Sequence, residues 1–502
     1  MCIPPLKCEN EKTRKRESEI SQSCQTTLSR TRVSEPFINC FAHHRNRVNR
    51  FKTGHKSIAF GLHDRYPSSA NQTHQQRIPK INTLQTQYQQ ITEILTEKEL
   101  VALAKKYGAQ DQRKRKVPIR IFFWLMVLSA SQPTVRGALF QLVAFFVSAL
   151  SVLFPTTEAI TLSKMALSLK LKQTNWYFFR AVYNRLLARY KQLLPPSQHR
   201  WLKHFRDAFI LDATITRVHK ALLKVFQSVH QDIAGAKVNV KYSLMNLAPQ
   251  KVQVTESKRH DSRFRGITNE SAILYLFDLG YWSFTRLKKI ISAASFFVCR
   301  LKSNCDPLIV AVAQKQWQPL IGKRLSEIGA FLEGKEVLDV TVKLSKAKKP
   351  RFNDSVRLVG LLYEGVWRFW VTNIFDNAFT PQVIYDLYRQ RWAVEIFFNY
   401  IKHLLHIEHL ISRNKNGIMV EIYSALIFYL LTQIAMSLAA EKTGESIEAF
   451  SFGRSFQIVR AFLLTNLSRL LDSLEEGLGE FFDRIVSAIA LLGLRDKTIR
   501  SP

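Results

Sequence analysis

The sequence predicts a mixed α/β fold, with a β-rich middle preceded by a helical domain and followed by further helices. Three observations lead there. From about residue 82 to 200 apolar residues recur at helical spacing. After His204 the period drops to two through DAFILDATI, AKVNVKYSLMNL and KVQVTES. From 381 onward the spacing is helical again. With 502 residues the chain has room for roughly two to four domains and a sizeable core.

Taken in order, residues 1–80 are rich in Ser, Thr, Asn, Gln, Arg and His without a sustained period. They read as a disordered basic N-terminal extension, or else as sequence upstream of the folded part. Residues 81–203 read as a helical, DNA-binding domain that stops at Pro195 and Pro196, with Arg113, Lys114, Arg115 and Lys116 clustered at one junction. The competing reading of that cluster is a solvated, charged corner. Residues 204–305 give three strands in a meander, a fourth in ILYLFDLG, a helix in WSFTRLKKIISA and a fifth strand in SFFVCRLK. Residues 306–380 add EVLDVTVKL, SVRLVGLLY and VWRFWVTNI, all β-branched and aromatic. Residues 381–412 hold one long helix, and residues 413–502 form a C-terminal helical region.

Charge narrows the partners. Lys and Arg number 73 against 39 Asp and Glu, a net charge of +34, which attracts polyanions: nucleic acid first, an anionic membrane surface second. Two apolar stretches, Ala138 to Phe154 and Ile422 to Ala440, approach the roughly 20 residues that span a bilayer. Each carries a Gln, at 141 and 433, and a buried core helix gives the same signal, so no membrane partner is expected. Six cysteines without a C-x-x-C pair argue against a zinc ribbon or a disulfide framework and fit a reducing compartment. The first twenty residues lack the apolar core of a secretory signal.

Asp212 and Asp278 each follow an apolar run, where a strand supports a carboxylate at a sheet edge and a hard cation can be coordinated. Alone, each also fits an ordinary turn. In LYRQRWAVEIFFNYIKH, residues 387–403, a helical wheel started at Tyr388 places Arg391, Glu395 and Lys402 at about 300°, 340° and 320°. Four polar groups thus share one stripe, while Ile396, Phe397, Phe398, Ile401, Leu404 and Leu405 face away from it. The bland alternative is a solvated face with an Arg391–Glu395 pair worth tenths of a kcal/mol. Two strand-supported aspartates, a helical glutamate and flanking cations are, taken together, what metal-assisted phosphodiester chemistry requires.

These residues resemble the DDE transposases of the bacterial IS-four family, whose signature is Y-x2-R-x3-E-x6-K. Tyr388, Arg391, Glu395 and Lys402 match it at every position. Asp212 in LDAT matches the first acidic motif, and Asp278, Gly280 and Tyr281 in DLGYW match the second, with Leu279 where the family often has Arg. FFVCRLK is similar to the strand that follows, and the resemblance covers roughly residues 82–470. It implies an RNase H-like catalytic core, 204–305 being its first part, a β-rich insertion at 306–380 and a core helix carrying Glu395. Asp212, Asp278 and Glu395 would be catalytic and would hold two Mg²⁺ ions, Mn²⁺ being able to substitute. Tyr388, Arg391 and Lys402 would bind DNA at the cleaved end. The implied partners are double-stranded DNA, both transposon-end inverted repeats and target, and a second copy in a homodimeric synaptic complex. The implied location is the cytoplasm, at the nucleoid. One departure stands out: ESKRHDSRFRGITNESAIL, residues 256–274, is short and poorly helical, so the first helix of an RNase H core has no obvious place. A catalytically inactive or repurposed DNA-binding descendant is the alternative expectation.

Weaker candidates remain. Trp282, Trp367 and Trp370 could stack an unpaired base, though core packing accounts for each. His403, His406 and His409 drift around the helix axis and make a poor zinc site. Cys299 reads as a small core residue.

Overall fold

The computed structural model describes residues 95–111, 117–135, 138–153, 161–194, 201–344, 352–465 and 479–495. The expectations for residues 1–80, for Arg113–Lys116 and for Pro195–Pro196 fall outside these ranges.

Among the described residues five α-helices come first: α1 (Glu97–Lys106), α2 (Ile119–Ser129), α3 (Leu139–Leu153), α4 (Lys164–Gln173) and α5 (Trp176–Leu193). Helix α1 starts where Thr96 and Glu99 form a reciprocal capping box, satisfying two of the first-turn amides. Nine strands follow: β1 (Asp207–Arg217), β2 (Gly235–Ser243), β3 (Ala248–Glu256), β4 (Ile273–Phe277), β5 (Phe296–Arg300), β6 (Leu308–Val312), β7 (Val337–Lys343), β8 (Ser355–Tyr363) and β9 (Val366–Thr372). Helix α6 (Phe284–Ser292) links β4 to β5. The chain then continues through α7 (Pro381–Arg389), α8 (Trp392–Asn399), α9 (Lys415–Thr443), α10 (Phe452–Thr465) and α11 (Gly479–Leu492).

All nine strands share one sheet, in the order β3-β2-β1-β4-β5-β9-β8-β7-β6. The pairs β1–β4 and β4–β5 are parallel and every other pair is antiparallel. The strands read from residues 306–380 therefore lengthen the sheet through β9, which pairs with β5 over Val298–Arg300.

The period-two pattern sorts side chains into two cores. Ala208 and Ile210 of β1, Leu274 and Leu276 of β4 and Val298 of β5 join the helices in one core. Phe209, Leu211, Ile273, Tyr275, Phe277, Phe297 and Cys299 turn to the other, where Leu287 and Ile290 of α6 meet them. The first core is built around α9, which packs against α5, α11, α2 and α10. Helix α9 is long and apolar enough to cross a membrane, yet its whole apolar window is buried inside the fold. Being covered on every side, it needs no polar face.

The second face is covered differently over β1 to β3. No α-helix connects β3 to β4; residues 257–272 run there as an irregular strap with a single 3₁₀ turn at Asp261–Arg263. Four cations hold its carbonyls. Lys237 Nζ donates to Arg259 O at 2.7 Å, Lys251 Nζ to Arg265 O at 2.7 Å, Arg286 Nη2 to Phe264 O at 2.9 Å and Lys289 Nζ to Ile267 O at 3.2 Å. The strap lies so close that a Cβ on Gly266 would meet Leu211 Cδ2 at 2.7 Å. The segment that the sequence left without a place for a helix is thus a largely irregular strap, several of whose backbone oxygens are satisfied by side chains.

The single helix expected over 387–403 is corrected to three pieces. Around Arg391 the backbone bonds shorten to i→i−3, with Arg391 N–H donating to Tyr388 O at 3.0 Å and Val394 N–H to Arg391 O at 3.2 Å. From Tyr400 to Leu404 the turn widens to a π-helix. Such departures shift the angular phase of side chains away from an even 3.6-residue period. Ile396, expected on the buried side, is 41% exposed, and Tyr388, expected on the open stripe, is buried.

Candidate active site

Asp212 sits inside β1, which continues five residues beyond it to Arg217, rather than at a strand end. Its placement follows from register. Leu211 pairs with Phe277 across the parallel β1–β4 ladder, so Asp212 and Asp278, each one residue further on, lie on neighbouring strand paths about 4.8 Å apart at the C-terminal rim of β4. Asp278 caps the short turn Leu279–Tyr281 with extended backbone. Both aspartates share the parity of the residues that face the helical core, the side on which α7 and α8 lie.

Arg391, in the tightened turn between α7 and α8, joins the two sides. Its Nη1 donates to Asp212 Oδ2 at 2.9 Å and to Glu395 Oε1 at 3.1 Å, which puts those two oxygens at most about 6 Å apart. Nη2 also donates to Glu395 Oε1 at 3.1 Å. Tyr388 OH lies 3.5 Å from Asp278 Oδ1, a long hydrogen bond. Lys402, in the widened turn, pairs with Glu408, its Nζ 3.7 Å from Oε1. The structure thus brings Asp212, Arg391 and Glu395 into direct contact and sets Tyr388 against Asp278, while Lys402 pairs with Glu408.

Electrostatics agree with this geometry. Burial pushes the Asp212 carboxyl up to about 6; Glu395 and Asp278 push the same way, and the Ala213 amide and Arg391 oppose them. Burial lowers the Arg391 pKa, but Asp212, Tyr388 and Glu395 outweigh it, so the guanidinium stays charged. The two partners of one ion pair are therefore both shifted upward, and the directions are compatible. The pair fixes Arg391 as a cation, and its single guanidinium, shared with Glu395, leaves desolvation of Asp212 only partly offset. Burial, followed by Asp278, raises the Tyr388 phenol above its ordinary range.

Asp212, Asp278 and Glu395 offer only oxygen donors, the set a hard divalent cation prefers. Among the described residues no three His, Cys, Asp or Glu side chains are already gathered as a metal cage. Instead the Arg391 guanidinium bridges two of the three carboxylates. Asp212 and Glu395 would be free to hold a divalent ion between them once Arg391 lets go. The donor set fits the ion in chemistry, and a cation is what already stabilises it.

Tyr281 of the second motif is buried, with its hydroxyl 3.5 Å from Asn239 Oδ1 on β2, a neighbour that went unseen in the sequence. Asp261 on the strap receives Lys237 Nζ at 2.7 Å. A readable trace existed: in AKVNVKYS the polar Lys237, Asn239 and Lys241 alternate with valines, unusual for a strand with both faces buried. Trp282 and Trp370 are buried, and Trp367 stacks on Phe369 at 5.9 Å, so all three are tied into packing. Cys299 is fully buried.

Comparison with known proteins agrees with the geometry. A family pattern described as a Transposase DDE domain matches residues 203–431, from just before β1 to the middle of α9. The probable transposase for insertion sequence element IS5377 of Geobacillus stearothermophilus is 28% identical over 278 residues, 55% of this chain and 69% of that one. The transposase for insertion sequence element IS231F of Bacillus thuringiensis subsp. israelensis is 23% identical over 392 residues, 69% of this chain and 77% of the relative. A putative transposase for element IS4SA of Synechocystis sp. is 33% identical over 234 residues, 45% of this chain and 60% of the relative. Residues 203–431 thus match a transposase DDE domain, and the chain is similar to insertion-sequence transposases, as the spacing from Tyr388 to Lys402 implies.

Proposed function

We propose that the chain is a DNA transposase that cleaves the ends of its own insertion sequence and joins them to a target, with Asp212, Asp278 and Glu395 as its catalytic carboxylates. The observation that carries this reading is the meeting of Asp212 and Glu395, remote in sequence, on one guanidinium at a rim that Asp278 shares through strand register. The three carboxylates would hold divalent ions, Mg²⁺ or Mn²⁺; such ions, when bound, activate an attacking hydroxyl and stabilise the leaving oxygen.

The chain's own residues have separate tasks. Arg391 keeps Asp212 and Glu395 paired while no other cation is present, and its fork suits a phosphate oxygen once released. Tyr388 steadies Asp278 through its hydroxyl. Lys402 would reach DNA after leaving Glu408. The partners in this reading are double-stranded transposon ends and target DNA, with two copies of the chain pairing the ends. The charge of +34 supports such a polyanionic partner. The helices before β1 would dock DNA, strands β6–β9 would be the family's insertion, and the protein would work at the nucleoid.

The test is a nicking assay on a duplex bearing the element's terminal inverted repeat, with and without Mg²⁺. We expect cleavage that needs the ion and is lost in Glu395→Gln, while end binding stays within about twofold, since one rim charge contributes little to a multi-phosphate interface. Binding without cleavage in either Mg²⁺ or Mn²⁺ would leave only the inactive, DNA-binding reading.

A further inference from the structure

Asp278 stands at the very end of β4, where the ladder no longer fixes it, and the turn behind it has three residues. Something other than the sheet must hold it. Arg286, on α6, is buried and points its guanidinium back into this turn. Nη1 donates to the carbonyl of Tyr281, while Nη2 donates to Ser262 O at 3.0 Å and Phe264 O at 2.9 Å. The guanidinium carbon also lies 5.4 Å from the Tyr281 ring centroid. Tyr281 N–H in turn donates to Asp278 O at 2.9 Å, so Arg286 grips the residue whose amide holds the Asp278 backbone.

The strap reaches the same turn from outside. A Cβ on Gly280 would come within 2.8 Å of Asp261 Oδ2, and Lys237 clamps the other oxygen of Asp261 at 2.7 Å. One side chain therefore ties together α6, the strap and the turn that carries Asp278, and the planar fork of Arg is what allows three carbonyls to be met at once.

We propose that Arg286 is a positioning residue for Asp278, fixing the second acidic turn against the irregular strap. It touches no reacting atom. The proposal rests on the transposase reading for the task of Asp278, and its consequence is a weaker site for divalent ions when the fork is lost.

The experiment measures Mn²⁺ bound to the DNA-free, full-length protein from the loss of the free-ion paramagnetic signal, beside the Mg²⁺ concentration giving half-maximal nicking. Arg286→Lys keeps the charge but cannot meet three carbonyls; we expect Mn²⁺ affinity to fall and the Mg²⁺ requirement to rise by about 10–100-fold, the range typical of supporting residues around a metal site. Gly280→Ala, which pushes the strap from the turn without touching Arg286, should shift both readouts the same way and serves if Arg286→Lys does not fold. Lys289→Ala loosens only the far end of the strap and should lower the melting temperature without changing Mn²⁺ affinity. Wild-type Mn²⁺ affinity in both Arg286→Lys and Gly280→Ala would overturn the positioning role. If Glu395→Gln binds Mn²⁺ as wild type does, the catalytic reading itself fails, and the positioning role with it.

Discussion

The two faces of the sheet are covered by opposite means. Over β1 to β3 the helical face is closed by apolar side chains: Phe397 of α8 lies 5.3 Å from the Tyr242 ring of β2 and 5.0 Å from Tyr429 of α9. The other face of the same strands is closed by a strap whose carbonyls are held by lysines and an arginine. Apolar closure draws its strength from area removed from water and is indifferent to ions. Cation-to-carbonyl closure depends on a few directional bonds and on keeping the cations in place. The rim that holds the candidate carboxylates lies where the two meet, with Glu395 on the apolar side and the Asp278 turn on the polar one.

Phe397→Ala gives the largest effect expected on stability. Removing a ring that is 1% exposed should cost about 3–5 kcal/mol by urea unfolding, with little dependence on salt. A loss under 1 kcal/mol would mean that the helical face is not closed by packing.

Asp212 sharpens the contrast at the boundary through pH. Its folded pKa, about 6, lies above the ordinary value, so the folded state binds this proton more tightly than the unfolded chain does. The stability this contributes is fully present below about pH 4 and is lost as pH rises through 6. Asp212→Asn removes the ionisable group; at pH 8 it should be the more stable protein by up to about 3 kcal/mol, with the advantage gone near pH 4. Equal pH profiles for the two proteins would show that the carboxylate is not desolvated. The same variant should lose nicking.

The smallest effect is expected on the polar face. Lys251 donates to Arg265 O from an exposed position, so Lys251→Ala should cost about 1 kcal/mol or less. Hydrogen exchange should read it locally, with amides near residues 264–268 opening faster while β2 keeps its protection. Uniform loss of protection across the sheet would erase the distinction between the faces.

What the sequence made legible follows the same divide. The strands were readable because each buried face imposes period two on apolar residues, and the Asp212 and Asp278 motifs could be placed on their supports for that reason. The strap was not, because polar residues in ESKRHDSRFRGITNESAIL carry no period. Their bonds run from distant lysines to backbone oxygens, which every residue possesses. The stripe from Tyr388 to Lys402 was half legible. Arg391 and Glu395 meet as the i,i+4 spacing foretells. But a wheel assumes an even turn and the backbone tightens at Arg391 and loosens at Tyr400, so it could not foretell the Lys402–Glu408 pair or the burial of Tyr388. Arg286 was invisible for a related reason: a basic residue on a short amphipathic helix reads as solvated until its fork is seen to end on carbonyls.

The position of α9 in the chain sets a timetable for folding. Strands β1 to β5 and helices α2 and α5 are made before residues 415–443, yet α9 is the helix against which that core packs. At roughly 5–20 residues per second, a nascent chain spends roughly 10–45 seconds with β1 complete and its hydrophobic flank uncovered. Chaperone engagement should therefore peak in that interval and fall once Thr443 clears the ribosome, and a chain stopped before Lys415 should aggregate rather than persist as a shorter folded product.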